Sequence, residues 1–316
     1  MTPAPLVTMI VPGRDIAAFV PAALDSLVAQ TARRWRALLI DDGSTDRTGD
    51  IFASAAADDA RFHVVRLPDS CGLGAARNAG LALVDTPYLG FLDGDDELSP
   101  HALERMMGTL DATGSDFVAA AYVRSRFDGS GYASGRIQPW VAAATSPERH
   151  ATTIFEHPRA SANIVAWSKL SRTAFWDAHG LTFPEGVAYE DQIVAQQMYT
   201  RATAFDVIPD AVVRWRVRAD GSSITQGKAH LPVLRDYLAA LRGGIRVLDD
   251  AGARSAVTAR IELILAMDVP PLLAIAEEHP DPAYAREVEV FLDELRALPA
   301  FADARPDPDF AAALSW

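Results

Sequence analysis

The chain has 316 residues, of which 49% are apolar and 22% charged, enough apolar material for one large packed domain or a domain with an appendage. A formal net charge of −13 argues against nucleic acid or an anionic membrane surface as the main partner. The single cysteine, Cys71, excludes an internal disulfide and fits a reducing compartment. No apolar run approaches the ~18 residues of a membrane span, and the N-terminus has no signal-peptide pattern, so a cytoplasmic protein without a transmembrane span is expected.

Residues 6–11 are apolar and partly β-branched and stop at Pro12-Gly13, the pattern of a buried strand and a turn. Pro21 suits a first helical turn, and Leu24, Leu27 and Val28 recur at helical spacing. Residues 37–40 make a second apolar run ending in Asp41-Asp42-Gly43-Ser44-Thr45-Asp46, with Asp46 placed to cap the next helix. A third strand over 62–67, an Ala-rich helix opening at 72–78 and a fourth strand over 88–92 follow. Ser99-Pro100 is a cap and first-turn pair for a helix that Gly114 ends, before a fifth strand over 117–122.

Strand and helix alternate in this way to about residue 125, which predicts an α/β fold with a mostly parallel central sheet and helices on both faces. Ligands of such sheets bind beyond the carboxyl ends of the strands, where Asp41-Asp42 and Asp93-Gly94-Asp95-Asp96 both fall. Three carboxylates within four residues need a cation or solvent, because burying like charge is costly. Gly94 lets the backbone turn so that Asp93 and Asp95 point at one object, and hard oxygen ligands suit Mg²⁺ or Mn²⁺. The alternative is a solvated turn before the next helix.

From 126 to 149 the chain loosens, with Gly129, Gly131, Gly135 and Pro139 marking loop or hairpin. Order resumes over 164–170, and a Phe183-Pro184-Glu185-Gly186 turn precedes a helix opening at Tyr189-Glu190-Asp191-Gln192. Over 211–218 basic and apolar residues alternate, which places Arg214, Arg216 and Arg218 on one face of a strand and Trp215 and Val217 toward the core. Arg216 and Arg218, with the Ser223 hydroxyl, are candidates for substrate phosphates, and Arg214 for a structural role. A merely solvated edge strand is the alternative. Helices are expected near 231–250, 254–267 and 284–298, with Pro-rich breaks between them.

Other motifs exclude rival chemistries. Gly72-Leu73-Gly74 lacks the third glycine of a dinucleotide fingerprint and does not follow the first strand. The seven histidines show no zinc-ligand spacing, and Cys71 reads as a small buried residue with no catalytic partner. Trp167 lines a pocket or belongs to the core.

Four ordered blocks resemble family 2 glycosyltransferases, inverting nucleotide-sugar enzymes of GT-A fold. They are the strand ending at Pro12, Leu39-Ile40-Asp41-Asp42-Gly43-Ser44-Thr45-Asp46, the Gly-rich turn with Ala76-Arg77-Asn78, and Phe91-Leu92-Asp93-Gly94-Asp95-Asp96. A fifth, Trp167-Ser168-Lys169-Leu170 with the turn at 183–186 and Glu190-Asp191, resembles the family's acceptor half. The resemblance covers roughly residues 5–226. It implies that Asp42 meets the nucleobase, Arg77 lies near the nucleotide, and Asp93, Asp95 and Asp96 occupy the metal and ribose positions with Gly94 between them. Asp191 would be the catalytic base with Glu190 beside it, and Trp167 and Lys169 would face the acceptor. The family's Pro-Val-Tyr-Asn block is here Pro12-Gly13-Arg14-Asp15, so Arg14 is expected to stack on the base where the family has Tyr, with Asp15 beside it.

The implied division is a catalytic domain over 1–228, with a nucleotide-sugar half over 1–125 and an acceptor half over 126–228, and a helical C-terminal region over 229–316. The implied activity is transfer from a nucleotide-sugar, expected to be UDP-linked, to a hydroxyl of a polymer or glycan. The run from Arg214 to Thr225 resembles bacterial wall teichoic acid and related cell-surface polymer glycosyltransferases, which favours a phosphate-bearing acceptor. A non-catalytic nucleotide-sugar-binding scaffold and a natural-product glycosyltransferase are the rivals. Peripheral membrane association and homo-oligomerisation through the tail helices stay open.

Overall fold

A computed structural model describes residues 4–218 and 227–312 of the chain. Strand β1 (Val7–Gly13) is followed by α1 (Val20–Val28), β2 (Trp35–Asp42), α2 (Thr48–Asp58), β3 (Phe62–Leu67), α3 (Leu73–Leu81) and β4 (Tyr88–Phe91). Next come β5 (Glu97–Leu98), α4 (Ala102–Thr113), β6 (Phe117–Phe127), β7 (Tyr132–Ile137), α5 (Pro139–Thr145) and β8 (Arg149–Thr152). Strand β9 (Lys169–Arg172), α6 (Thr173–His179), α7 (Asp191–Arg201) and β10 (Phe205–Val217) complete the sheet region. Helices α8 (Leu231–Asp250), α9 (Arg254–Leu263), α10 (Val269–Glu278), α11 (Pro282–Ala297) and α12 (Pro308–Ala312) form the C-terminal part.

The fold is mixed α/β around one sheet of order β3-β2-β1-β4-β9-β6-β10-β5, with β7 paired to β6 and β8 to β10. The expected parallel sheet holds from β3 to β4 and again between β6 and β10. Strand β9 is inserted between β4 and β6 and is antiparallel to both, so the whole sheet is mixed rather than mostly parallel. Two antiparallel steps restore direction, so β1, β2, β4, β6 and β10 all end on the same edge. That edge carries the acidic motifs.

The strands form where apolar, β-branched runs can be buried on both faces. All seven residues of β1 and all four of β4 are buried, as parallel strands under helices should be. Asp46 precedes the N-cap of α2, which is Arg47 and not the expected Asp46, and its Oδ1 accepts from Thr48 N at 2.8 Å at the start of the helix. Gly114 takes the left-handed conformation, φ +76°, that ends α4. Ser99 does not cap α4 with its side chain, because its hydroxyl donates to the Ala211 carbonyl at 2.6 Å and ties the loop to β10.

Three regions differ from the sequence reading. Strand β6 runs on to Phe127, and the stretch read as loose holds β7, α5 and β8. Pro270 and Pro271 do not break the tail but open α10, where a missing N–H costs nothing. A π-helical turn, Ile264–Asp268, joins α9 to α10. The C-terminal helices are also more than peripheral packing: α8 lies on α7, α9 on the 3-10 turn Pro158–Ala162, and one continuous buried core runs from Val7 to Phe310.

Candidate active site

A cleft of about 530 Å³ opens over the carboxyl edge of the strands. One wall is built from the loops after β1, β2 and β4. Gly13 is the register partner of Asp41, so the ends of β1 and β2 lie side by side. Asp41 turns away, accepting from Ser44 N at 3.0 Å, while the buried Asp42 lines the cleft. Asp42 accepts from Cys71 N at 2.8 Å, Ser70 Oγ at 3.0 Å and Gly72 N at 3.1 Å. Arg14 reaches the same place, with Nη1 donating to Ser70 Oγ at 2.7 Å, and Pro12 lies in the lining.

Asp15 is not in the lining. Its Oδ1 accepts from Thr45 N at 2.8 Å, Thr45 Oγ1 at 3.1 Å and Asp46 N at 3.2 Å, which fixes the acidic loop from behind. Cys71 is exposed, not buried, but loss of hydration and the neighbouring Asp42 push its thiol up to about 11. A thiol so far above neutral pH is a poor nucleophile.

Asp93, Asp95 and Asp96 present oxygens that lie within 4.8 Å of one another. Burial raises the Asp95 carboxyl, and raises Asp96 well above the usual range with the help of its two acidic neighbours. Three crowded hard-oxygen donors, two of them with ionisation opposed by burial, fit a divalent cation such as Mg²⁺ or Mn²⁺. The chain itself already supplies some positive charge. Arg77 Nη2 meets Asp93 at 2.6 Å, and Arg218 meets Asp95 Oδ2 at 2.8 Å. Gly94 makes the turn possible through space rather than through a left-handed φ: a Cβ there would stand 2.4 Å from Ile16 Cδ1 and 3.0 Å from the Pro12 carbonyl.

Arg77 is the hinge of the site. It is buried on α3, and its second nitrogen, Nη1, pairs with Glu190 at the start of α7. Burial alone would pull Arg77 down, but the charges of Asp93 and Glu190 outweigh it and keep the guanidinium ionised. Glu190 is therefore taken, and Asp191 is left as the half-buried carboxylate facing the cleft. Burial, aided by the Glu190 charge, lifts Asp191 to about 7, against the opposing pull of Arg77.

Lys169 stands behind Asp191 and does not line the cleft. Its Nζ donates to Asn163 O at 2.7 Å, Val165 O at 2.7 Å and Asn163 Oδ1 at 2.9 Å, three acceptors for three donors, while burial pulls it down to about 7. Trp167 is buried in the lining, edge-on to Tyr122 with ring centres 4.7 Å apart, so it is both core and pocket wall.

The basic strand divides its arginines. Arg214 pairs with Glu97 at 3.3 Å on the surface. Arg216 is buried and does not reach the cleft: its Nε donates to the Asp95 carbonyl, Nη2 to Phe19 O at 2.9 Å, and its backbone N to Asp96 Oδ1 at 2.8 Å. It is a brace for the acidic turn, whereas Arg218, the other arginine expected to serve substrate phosphates, lines the cleft. Ser223 lies outside the described residues. Trp215, expected in the core, lines the cleft instead.

The opposite wall was not read from the sequence. Tyr122 and Arg124 on β6, Trp140 on α5, and Tyr189 contribute from the sheet region, and Tyr237, Arg260 and Asp268 from the tail helices. Arg124 and Trp215 are register partners near the ends of the parallel strands β6 and β10, a pairing with no local sequence signal.

The sequence pattern of glycosyl transferase family 2 matches residues 8–172. The chain belongs to that family. EpsJ of Bacillus subtilis, an uncharacterised glycosyltransferase, is 29% identical over 188 residues, covering 59% of this chain and 54% of EpsJ. TuaG of the same organism, named for teichuronic acid biosynthesis, is 31% identical over 126 residues, covering 40% of this chain and 50% of TuaG. The chain thus spans about half the length of these family 2 relatives. Residues 1–349 of S. aureus TarS, solved with UDP-GlcNAc, superpose with a TM-score of 0.69 at 19% identity, covering 98% of this chain and 90% of that one. The fold is that of GT-A glycosyltransferases, and the likeness extends over the tail helices as well as the family 2 region.

Proposed function

We propose that this family 2 chain is an inverting, divalent-metal-dependent transferase that moves a sugar from a nucleotide donor to a hydroxyl of a cell-surface polymer or glycan, with Asp191 as general base. The observation that carries the reading is the division of labour at Arg77. It ties Glu190 and Asp93 together, which leaves Asp191, next to Glu190 in the cleft lining, as the carboxylate there that Arg77 does not hold. A base held near 7 is matched to taking a hydroxyl proton at neutral pH. With Glu190 and Asp93 both held by Arg77, a single base at Asp191 favours a single displacement, and therefore inversion at the sugar carbon. Asp42, with Arg14 beside it, is offered to the nucleobase, and Arg77 and Arg218 to the diphosphate.

A bound divalent cation would offset the charge that develops on the departing diphosphate. Asp93, Asp95 and Asp96 would hold it. The UDP-GlcNAc in TarS supports a uridine donor, and the name of TuaG supports a cell-surface polymer as acceptor.

The test is a thermal-shift and nucleotide-release screen of nucleotide sugars with Mn²⁺ and with a chelator. Binding of a uridine nucleotide that is strengthened by metal, and loses that gain in Asp95→Asn, is the expected result. Equal affinity with and without chelator would remove the metal from the mechanism. Absence of release from every nucleotide sugar, with any acceptor, would remove the transferase.

A further inference from the structure

The donor wall and the opposite wall of the cleft treat charge differently. On the donor wall every carboxylate named above has a donor or a guanidinium within reach. On the opposite wall the cations Arg124, Lys228 and Arg260 form no ion pair among the described residues. Arg124 lies in the cleft with its guanidinium 4.8 Å from the Trp215 ring centre and 5.9 Å from that of Trp140, and its Nε is buried with no hydrogen-bond partner. Lys228 holds its ammonium 3.8 Å from the Tyr237 ring centre, and the nearby Asp268 carboxylate is engaged by the Tyr237 hydroxyl. Among the described residues neither cation has an ion pair.

Such an arrangement is costly in isolation. A buried guanidinium gives up hydration, and here the loss of water together with the nearby Arg126 charge lowers Arg124 without any carboxylate to offset it. In a protein of net charge −13 a compensating acid would be easy to supply; Asp268 stands near Lys228, but among the described residues no carboxylate is paired with Arg124. The flat indole faces on either side keep the guanidinium extended over the cleft, a geometry suited to receiving a planar or tetrahedral anion at its N–H edge. Arg260 adds a third positive group on the same wall, held by Gln192 Oε1 at 2.9 Å. Around these lie Trp167, Trp215, Tyr122 and Tyr189, the apolar faces on which sugar rings pack. The Tyr189 hydroxyl is likewise buried without a partner, on a residue with φ +61°.

We propose that Arg124, with Lys228 and Arg260, forms an acceptor subsite for a saccharide bearing a negative charge, the acceptor supplying the counter-ion that Arg124 lacks. This rests on the transferase reading and specifies its acceptor. The shared chemistry is an anionic group close to the sugar that receives transfer. A carboxylate of a uronic acid and a phosphodiester of a polyol phosphate are its two sources.

Because Trp140 and Trp215 flank Arg124, binding can be read by tryptophan fluorescence without turnover. The full chain, with UDP and Mn²⁺, is titrated with a short uronic acid oligomer, a short glycerol phosphate oligomer and a neutral maltose oligomer. At least one anionic oligomer should quench with roughly ten- to hundred-fold tighter affinity than the neutral one, and high salt should erase the difference. Whichever anion prevails identifies the source. In Arg124→Met the anionic preference should fall by about tenfold or more, with Arg124→Lys intermediate. Where Arg124→Met fails to fold by thermal melting, Lys228→Met tests the same preference from another residue of the same wall. Equal affinity for neutral and anionic oligomers, or an anionic preference untouched by both substitutions, overturns the subsite. Transfer to neutral acceptors alone would overturn it too, yet leave the transferase standing, whereas loss of all nucleotide-sugar turnover with anion binding retained would count against the transferase and not the subsite.

Discussion

The two walls of the cleft are made by different means. The donor wall is assembled from three short contiguous motifs at the ends of adjacent parallel strands, and its charges are matched in pairs within the protein. Arg77 with Asp93, and Arg218 with Asp95, are instances. The opposite wall, proposed above for the acceptor, draws single residues from β6, α5, β10 and the tail helices, is dominated by aromatic rings, and among the described residues leaves Arg124 without an ion pair. A wall balanced internally is stable before its ligand arrives and can accept the same donor chemistry throughout a family. A wall left unbalanced is completed only by its ligand, so specificity is concentrated there.

The largest expected effect lies where the walls meet. Asp191→Asn keeps the shape of the side chain and removes its basicity, so transfer should drop by roughly 10²–10⁴. Nucleotide affinity, measured by calorimetry, should stay nearly constant, because Asp93, Asp95 and Asp42 are untouched. The parent should show kcat/KM falling about tenfold per pH unit below about 7, since the active form is the deprotonated carboxylate, and a plateau above. An acid limb that persists in the Asn variant at the same position would move the base elsewhere.

Next in size is the coupling of the walls. Arg77→Met removes the guanidinium that both Asp93 and the buried Glu190 depend on, and an unpaired buried carboxylate costs about 3–5 kcal/mol. Chemical denaturation should report a loss of that order. Adding Glu190→Gln should recover part of it, because the second change removes the stranded charge. No recovery in the double variant would mean that Arg77 acts by packing alone.

How much of this was legible in the sequence follows the same division. Asp42, Asp93, Asp95 and Asp191 sit in local patterns where a strand end and a turn dictate what a carboxylate can face, and they line the cleft. The alternation over β10 also placed Arg214, Arg216 and Arg218 on one face, since Arg214 and Arg216 share Glu97 and Arg216 and Arg218 share the Phe19 ring. Alternation could not say that Asp95, Glu97 and Phe19 would fill that face and turn Arg216 into a brace. Arg124 and Trp215 acquire meaning only from the β6–β10 register, which depends on β9 being inserted between β4 and β6. Tyr237 and Arg260 needed α8 and α9 to be docked against α7 and its neighbouring turn, a tertiary fact with no local signature.

The finest probe of the comparison is the contact that sets the distance between the walls. Gly74, Arg77 and Asn78 lie three and four residues apart on α3, so they share the face turned to the loop before α7. Asn78 grips that loop, with Nδ2 donating to Phe183 O at 2.9 Å and Oδ1 accepting from Phe183 N at 2.8 Å. A Cβ on Gly74 would stand 2.1 Å from the Pro184 carbonyl oxygen, a backbone atom that no side-chain rotation can move. Gly74→Ala must therefore push α3 away from the loop, lengthening the Asn78 bonds and the Arg77–Glu190 pair together. A cost of about 1–3 kcal/mol is expected from such overpacking. Gly108→Ala on α4 provides the control, because a Cβ there would meet nothing within 4 Å and helix propensity alone should stabilise the variant by up to about 1 kcal/mol. Opposite signs for the two substitutions in thermal melts, with turnover reduced only in Gly74→Ala, would show that close approach at residue 74 holds the base against the donor wall. Equal stabilisation would mean that the loop yields and the walls are not set by this contact.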